Sequence, residues 1–231
     1  MIDIQVIASS SKGNCYFVTD GVSPLLIEAG ISWKEIQRAV GFRTDINSCL
    51  ISHSHGDHSK AVKDVMKSGI NCYMRPDEKF ALSGHRLIKF YPGETLEVDT
   101  WKIRSFEIIH DVPGLGFYMA NQVGDRLLYV TDTAYVVPRF AGLTHVMIEA
   151  NYSLDILNQN VEDGTIPVEM KKRLLKTHFS LEHVKDFLRA NDLSKVQEIH
   201  LLHLSDNNSD EERFKREVAS LTGKPVFIAQ Q

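Results

Sequence analysis

His53-Ser54-His55-Gly56-Asp57-His58 packs three imidazoles and a carboxylate into six residues, directly after the apolar run Cys49-Leu50-Ile51. The apolar run reads as a buried strand, and no packing requirement of a strand explains four ligand-type side chains at its end. His53 and His55, two apart on an extended chain, project to one side. Gly56, with no side chain, would let the chain turn back so that Asp57 and His58 face them. Imidazole and carboxylate together suit Zn²⁺, Mn²⁺ or Fe, so the spacing predicts two adjacent metal sites.

Three further runs end in a residue of the same kind. Phe106 to Ile109 leads into His110, Leu127 to Thr131 into Asp132, and Ile199 to Leu202 into His203. Alone, each is equally well read as a polar residue closing a strand; beside residues 53–58 they read as ligands held by the sheet beneath. Two cations about 3.5 to 4 Å apart need about three protein ligands each and a shared bridge, which a carboxylate can supply. Asp132 fits that bridge.

Composition sets the bounds. A chain of 231 residues, 43% hydrophobic and 24% charged, is expected to form a single globular domain over residues 1–231. No apolar stretch approaches the roughly 20 residues that span a bilayer, and the start, Met1-Ile2-Asp3-Ile4, lacks a basic, apolar leader. A cytoplasmic protein without membrane contact is expected. Cys15, Cys49 and Cys72 are odd in number, widely spaced and form no C-x-x-C pair, so neither a disulfide framework nor a thiolate zinc site is indicated. The net charge of −4 argues against broad nucleic-acid binding by the metal-free chain. Two bound divalent cations would reverse that locally. Lys60, Lys63 and Lys67 would add to them on one face of a helix after His58, unless they are only a solvated face.

Alternating runs predict strands at Ile2 to Ile7, Cys15 to Thr19, Leu25 to Glu28, Cys49 to Ile51, Leu96 to Val98, Trp101 to Ile109 and Leu127 to Thr131. Helices are expected at Trp33 to Val40, Ser59 to Lys67 and Pro76 to Leu82. Ser180 caps another bearing Leu181, Val184 and Leu188. Ser209 and Glu212 suggest a capping box for the last helix, Gly223 its stop, and Val226 to Ile228 a final strand. Hairpins with interspersed helices favour a layered α/β arrangement over Rossmann alternation.

The order H-x-H-x-D-H, then His110, Asp132 and His203, resembles the metallo-β-lactamase fold superfamily. The resemblance implies a four-layer αβ/βα sandwich with a dinuclear site at one edge. It assigns His53, His55 and His110 to one cation, and Asp57, His58 and His203 to the other, with Asp132 bridging them together with a hydroxide. Within the superfamily the chain is similar to the WalJ/YycJ-like DNA 5′-to-3′ exonucleases. The similarity runs through Ala8 to Cys15, Leu26 to Gly30, Thr131-Asp132-Thr133, Ile148 to Asn151, Thr177 to Ser180 and His203 to Asn208. Glu149-Ala150 and His178-x-Ser180 also resemble signatures of tRNase Z. Glu28 stands where the family usually has aspartate, and the segment between Asp132 and Glu149 is too short for the inserted domain of β-CASP nucleases.

These features point to a metal-dependent phosphodiester hydrolase, with DNA as substrate by resemblance. The alternatives are a small-molecule hydrolase, cyclic phosphodiesterase or thioesterase, and an RNA-processing nuclease. His178 is the candidate proton donor to the leaving oxygen and Glu149 its orienting carboxylate; with the ligand Asp57 they make up the catalytic set. Ser11 and Asn14, in the segment Ser9 to Asn14, are candidates for binding phosphate, with a plain hairpin turn as the alternative. Asn207 and Asn208 could touch phosphate or brace His203.

Overall fold

The computed structural model describes residues 1–77 and 82–229, and divides them into two compact units: 1–107 with 112–125, and 108–111 with 126–229. The strands form two β-sheets, the mixed α/β class expected.

The first unit opens with β1 (Asp3–Ser10), β2 (Gly13–Thr19) and β3 (Pro24–Ile27), which pair antiparallel; β4 (Ser48–Leu50), β5 (Asn71–Met74) and β6 (Leu87–Lys89) extend the sheet in parallel. Helix α1 (Trp33–Ala39) starts at a full capping box, in which Ser32 and Glu35 satisfy each other's backbone amides. Helices α2 (Gly56–Ser59) and α3 (Val62–Lys67) follow β4. Ile36 of α1 and Val62 and Val65 of α3 are buried in one core with Ile7, Leu26 and Ile51. Each such side chain contributes about 1.5–3 kcal/mol. The unit closes with an antiparallel meander of β7 (Thr95–Val98), β8 (Trp101–Glu107) and β9 (Leu115–Asn121).

The second unit is built on β10 (Arg126–Val130), β11 (His145–Glu149), β12 (Glu198–Leu202) and β13 (Val226–Ile228), all parallel. Its helices are α4 (Leu154–Glu162), α5 (Val168–Thr177), α6 (Leu181–Ala190) and α7 (Glu211–Thr222). Helix α6 begins at Ser180, whose hydroxyl accepts the His183 N–H, and buries Leu181, Val184, Phe187 and Leu188. Parallel strands need crossover helices, and ligands gather at their carboxyl ends.

Several expectations are corrected. Gly56 is not a turn: it is the first residue of α2, its φ is not positive, and a Cβ there would meet nothing within 4 Å. Asp57 and His58 are positioned by a helical turn instead. The expected helix over 59–67 is two helices, so the lysine stripe is divided. Lys60 lines a cleft with Lys12 and Arg38, whereas Lys63 and Lys67 line another with Arg86. The last helix is capped by Asp210, whose carboxylate accepts the Arg213 N–H at 2.9 Å, because the Ser209 hydroxyl is already donated to the Ser205 carbonyl. Strand β8 stops at Glu107, three residues before His110. The helix expected over Pro76 to Leu82 falls largely outside the described residues. All three cysteines are buried thiols, and burial pushes Cys15 well above the usual thiol range. Among the described residues no helix is long and apolar enough to cross a membrane.

Gly30 marks where the fold fixes the ligand segment. A Cβ there would lie 1.6 Å from the Asp57 carbonyl oxygen and 2.7 Å from the Asn14 nitrogen. Gly30→Ala is therefore expected to cost about 3 kcal/mol, the upper end for overpacking because backbone must move. Urea unfolding measures it; a loss below about 0.5 kcal/mol, the level of a neutral surface change, would show that the ligand helix gives way freely.

Candidate metal centre

In the first unit the four ligand-type residues follow β4: His53 and the N-cap residue His55 precede α2, and Asp57 and His58 lie within it. His53 Nε2 and His55 Nδ1 are 3.1 Å apart, and the His53 and His58 rings lie 4.2 Å apart between centroids. Two nitrogens each about 2.0–2.1 Å from a tetrahedral ion stand roughly 3.3 Å from one another, so this spacing fits a shared cation. Asp57 Oδ2 lies 3.4 Å from His58 Nε2. The rings are held from behind. Ser52 Oγ meets His53 Nδ1 at 2.9 Å, and fully buried Glu28 places Oε1 3.5 Å from His58 Nδ1 while accepting the Ser52 N–H at 3.2 Å. Partners of this kind fix a ligand ring's orientation.

In the second unit, three of the four strands deliver one group each at their carboxyl ends. Asp132 follows β10, Glu149 ends β11 and His203 follows β12; His178 ends α5 and His110 stands apart from any strand. One donor atom from each of Asp132, Glu149, His178 and His203 lies within 4.8 Å of the others. Glu149 organises them. Its Oε1 meets His178 Nδ1 at 2.6 Å and His203 Nδ1 at 3.2 Å, and its Oε2 accepts the N–H groups of Phe179 at 3.0 Å and Thr133 at 3.3 Å. Asp132 Oδ1 lies 3.2 Å from His178 Nδ1 and 3.1 Å from His203 Nδ1. The short His178 contact is that of a charge-assisted hydrogen bond, so Glu149 reads as a partner to imidazoles rather than as a ligand itself.

The electrostatics divide the histidines. Burial alone would push His178 down, but the Glu149 and Asp132 carboxylates outweigh it and hold the ring up to about 10. Burial pushes His110 down against the pull of Asp132 and Asp111, which favours the neutral ring that can ligate. The His110 Nδ1 is directed to the Thr177 carbonyl at 2.9 Å. Asp132 and His203 have φ of 47° and 51°, and Glu28 in the first unit has 65°, in the left-handed region that non-glycine residues rarely adopt. Strained backbone of this kind collects at functional sites.

The four residues proposed to touch substrate are placed differently from one another. Ser11 is exposed in the β1–β2 turn. Asn14, by contrast, is fully buried: its amide donates to the Ser10 carbonyl at 3.0 Å and the Asp57 carbonyl at 3.3 Å, and meets His58 Nε2 at 3.2 Å. It braces the ligand helix rather than offering a surface to phosphate. Asn207 is exposed, while Asn208 is buried; Asn160 donates to the Asn207 carbonyl at 2.7 Å and to Asn208 Oδ1 at 2.9 Å, fixing the loop after His203. Sequence reasoning missed Asn151, whose amide donates to the His203 carbonyl at 2.9 Å. Its place two residues after Glu149, at a strand end, was the available signal.

The chain matches the family described as the metallo-beta-lactamase superfamily over residues 11–142. It is 27% identical over 228 residues to the exodeoxyribonuclease WalJ of Streptococcus pneumoniae, covering 90% of this chain and 83% of that protein. It is 25% identical over 245 residues to the exodeoxyribonuclease YycJ of Bacillus anthracis, covering 98% and 91%. Among solved structures, the metallo-beta-lactamase fold protein YhfI from Bacillus subtilis superposes with a TM-score of 0.72 at 14% identity, over 99% of this chain and 96% of that one.

The raised His178 value gives a direct check in metal-free protein. Because it exceeds the free value of about 6.5, the charged ring stabilises the fold fully below about 6.5, and that contribution is lost as pH rises through about 10. Imidazole NMR is expected to show His178 still charged at pH 8 and Glu149→Gln to return its titration toward the ordinary range. A midpoint near 6.5 in the unmutated chain would remove the Glu149–His178 ion pair.

Proposed function

Since this chain belongs to the metallo-β-lactamase superfamily, we propose that it is a metal-dependent phosphodiester hydrolase that degrades DNA, in the 5′-to-3′ direction by resemblance. The observation that carries the reading is the buried Glu149 carboxylate bonded to His178 Nδ1 at 2.6 Å, an acid–base pair that hydrolysis of a phosphodiester can use. The exodeoxyribonuclease relatives, matched along most of their length, support the choice of polymer. We read the two compact units as parts of one domain, because one relative's fold covers nearly all of the chain.

The donor set is all imidazole and carboxylate, which accepts zinc, manganese or iron. His53, His55 and His110 would hold one divalent cation, Asp57, His58 and His203 a second, and Asp132 would be common to both. Bound divalent cations supply a more acidic water and offset the charge of phosphate oxygens. The remaining steps belong to the chain. Glu149 and Asp132 occupy His178 Nδ1, so the ring's other nitrogen, Nε2, carries the proton offered to the departing ribose oxygen. With its side chain 13% exposed, the ring reaches the surface while its charge is held from the buried side. Glu28 and Asn14 keep His58 in register, and Asn151 with Glu149 does the same for His203.

His178→Ala is expected to retain metal and lose about 10²–10⁴-fold in kcat on DNA, the usual contribution of a general acid; Asp132→Ala is expected to lose metal as well. Turnover of end-labelled single- and double-stranded DNA, precursor tRNA and bis-p-nitrophenyl phosphate, with elemental analysis of each variant, measures both. Hydrolysis of the small ester alone would sink the nuclease reading, and metal loss in His178→Ala would reassign that residue as a ligand.

A further inference from the structure

The sequence of α5, Val168-Glu-Met-Lys-Lys-Arg-Leu-Leu-Lys-Thr177, carries four cations against one carboxylate in a chain whose net charge is −4. Helical spacing puts Lys172, Arg173 and Lys176 on neighbouring positions of one face. The opposite side contributes Leu174 to a cluster with Tyr152, Leu157 and Ile166, so the basic face is turned to solvent by the packing of the apolar one. Lys172, Arg173 and Lys176 are exposed.

Together with Asp111, Thr177 and His110, these three cations line a cleft of about 430 Å³. Its wall is continuous with the candidate metal centre, because the Thr177 carbonyl at the end of α5 meets His110 Nδ1 at 2.9 Å. Arg173 has a partial counterion in Asp111, 3.7 Å away, with both side chains well exposed and the pair therefore weak. Among the described residues no carboxylate pairs with Lys172 or Lys176. Two uncompensated ammonium groups beside a candidate catalytic ligand attract an anion. A small phosphodiester brings only one negative charge to three cations, whereas a polynucleotide strand brings one per phosphate. Lys172 and Lys176 are separated by about 6 Å along the helix axis, far enough to serve different phosphates. The cleft formed by Lys12, Arg38 and Lys60 is also basic, but Glu35 shares it and no candidate ligand of the metal centre borders it.

The geometry points to the α5 cleft as the track for the DNA strand adjoining the scissile bond, with Lys172 and Lys176 each neutralising a backbone phosphate. This assignment rests on the nuclease reading above. It makes the lysines binding residues, which act through charge and without contact to the reacting atoms.

The test is the salt dependence of binding. A fluorescein-labelled single strand of DNA is titrated into the metal-loaded full chain by anisotropy, with His178→Ala in every protein so that the strand stays intact. Each neutralised phosphate contributes about 0.7 to the slope of log affinity against log salt on single strands. Lys172→Gln/Lys176→Gln is expected to lower that slope by about 1.4, so that between 50 and 200 mM salt its affinity falls about sevenfold less than that of the parent. Lys172→Arg/Lys176→Arg is expected to keep the parent slope, which a merely structural role for the lysine stems would not distinguish from the glutamine pair. Melting temperature and metal content verify that each variant is folded. An unchanged slope in the glutamine pair overturns the cleft while leaving DNA hydrolysis by the unmutated enzyme intact. A lowered slope with no DNA hydrolysis by the unmutated enzyme would retain the cleft and reject the nuclease.

Discussion

A carboxylate with no exposure to water, Glu149, is the constraint on which the second unit depends. Removing an ion from water costs several kcal/mol unless every lone pair finds a partner. Glu149 meets that condition with two imidazole nitrogens on Oε1 and two backbone N–H groups on Oε2. Those four contacts also fix where the carboxyl end of β11 stands against the segments that carry Asp132, His178 and His203. Two of these segments pass through left-handed backbone, at Asp132 and His203. Conformations of that kind cost about 1–3 kcal/mol each and persist where their surroundings over-determine them. The Glu149 network and the Asn151 amide provide that determination.

The first unit repeats the design with different residues. Glu28 follows β3, is equally buried, has positive φ, accepts a backbone N–H from Ser52 and faces His58 Nδ1. The glutamate in place of the family's usual aspartate keeps the charge and adds one methylene of reach. Asn14 completes the support by tying the Asp57 carbonyl and His58 ring to the β1–β2 hairpin, and Gly30 lets the backbone pass close enough for this to happen. In both units a buried acid at a strand end orients an imidazole, and polar side chains hold the loop from behind. The chain thus spends buried polar groups on geometry rather than on stability.

Much of this was legible in the sequence wherever a signal was local. The H-x-H-x-D-H segment, the stripe of α6 with its Ser180 cap, and Gly223 in left-handed geometry at the end of α7 are each set by neighbours within a few residues. Strand β11 escaped notice because all five of its residues are buried, so it lacks the alternation that marks a half-exposed strand. Helix α5 escaped because its basic run masks a thin apolar stripe centred on Leu174, and with it went the reason His178 stands where it does. At Gly56 the conformational freedom of glycine is available but unused, because the residue opens α2 without a positive φ. The second role of Glu149, holding His203 as well as His178, joins residues more than fifty positions apart in the chain. Spacing carries no trace of such a contact.

On this reading, the oriented imidazoles and carboxylates hold a pair of cations. Elemental analysis of the folded, unmutated protein, purified without chelator and reloaded with zinc or manganese, tests it most directly. About two divalent ions per chain are expected for a dinuclear hydrolase. A well-folded protein that retains only trace metal under every loading condition would contradict the account.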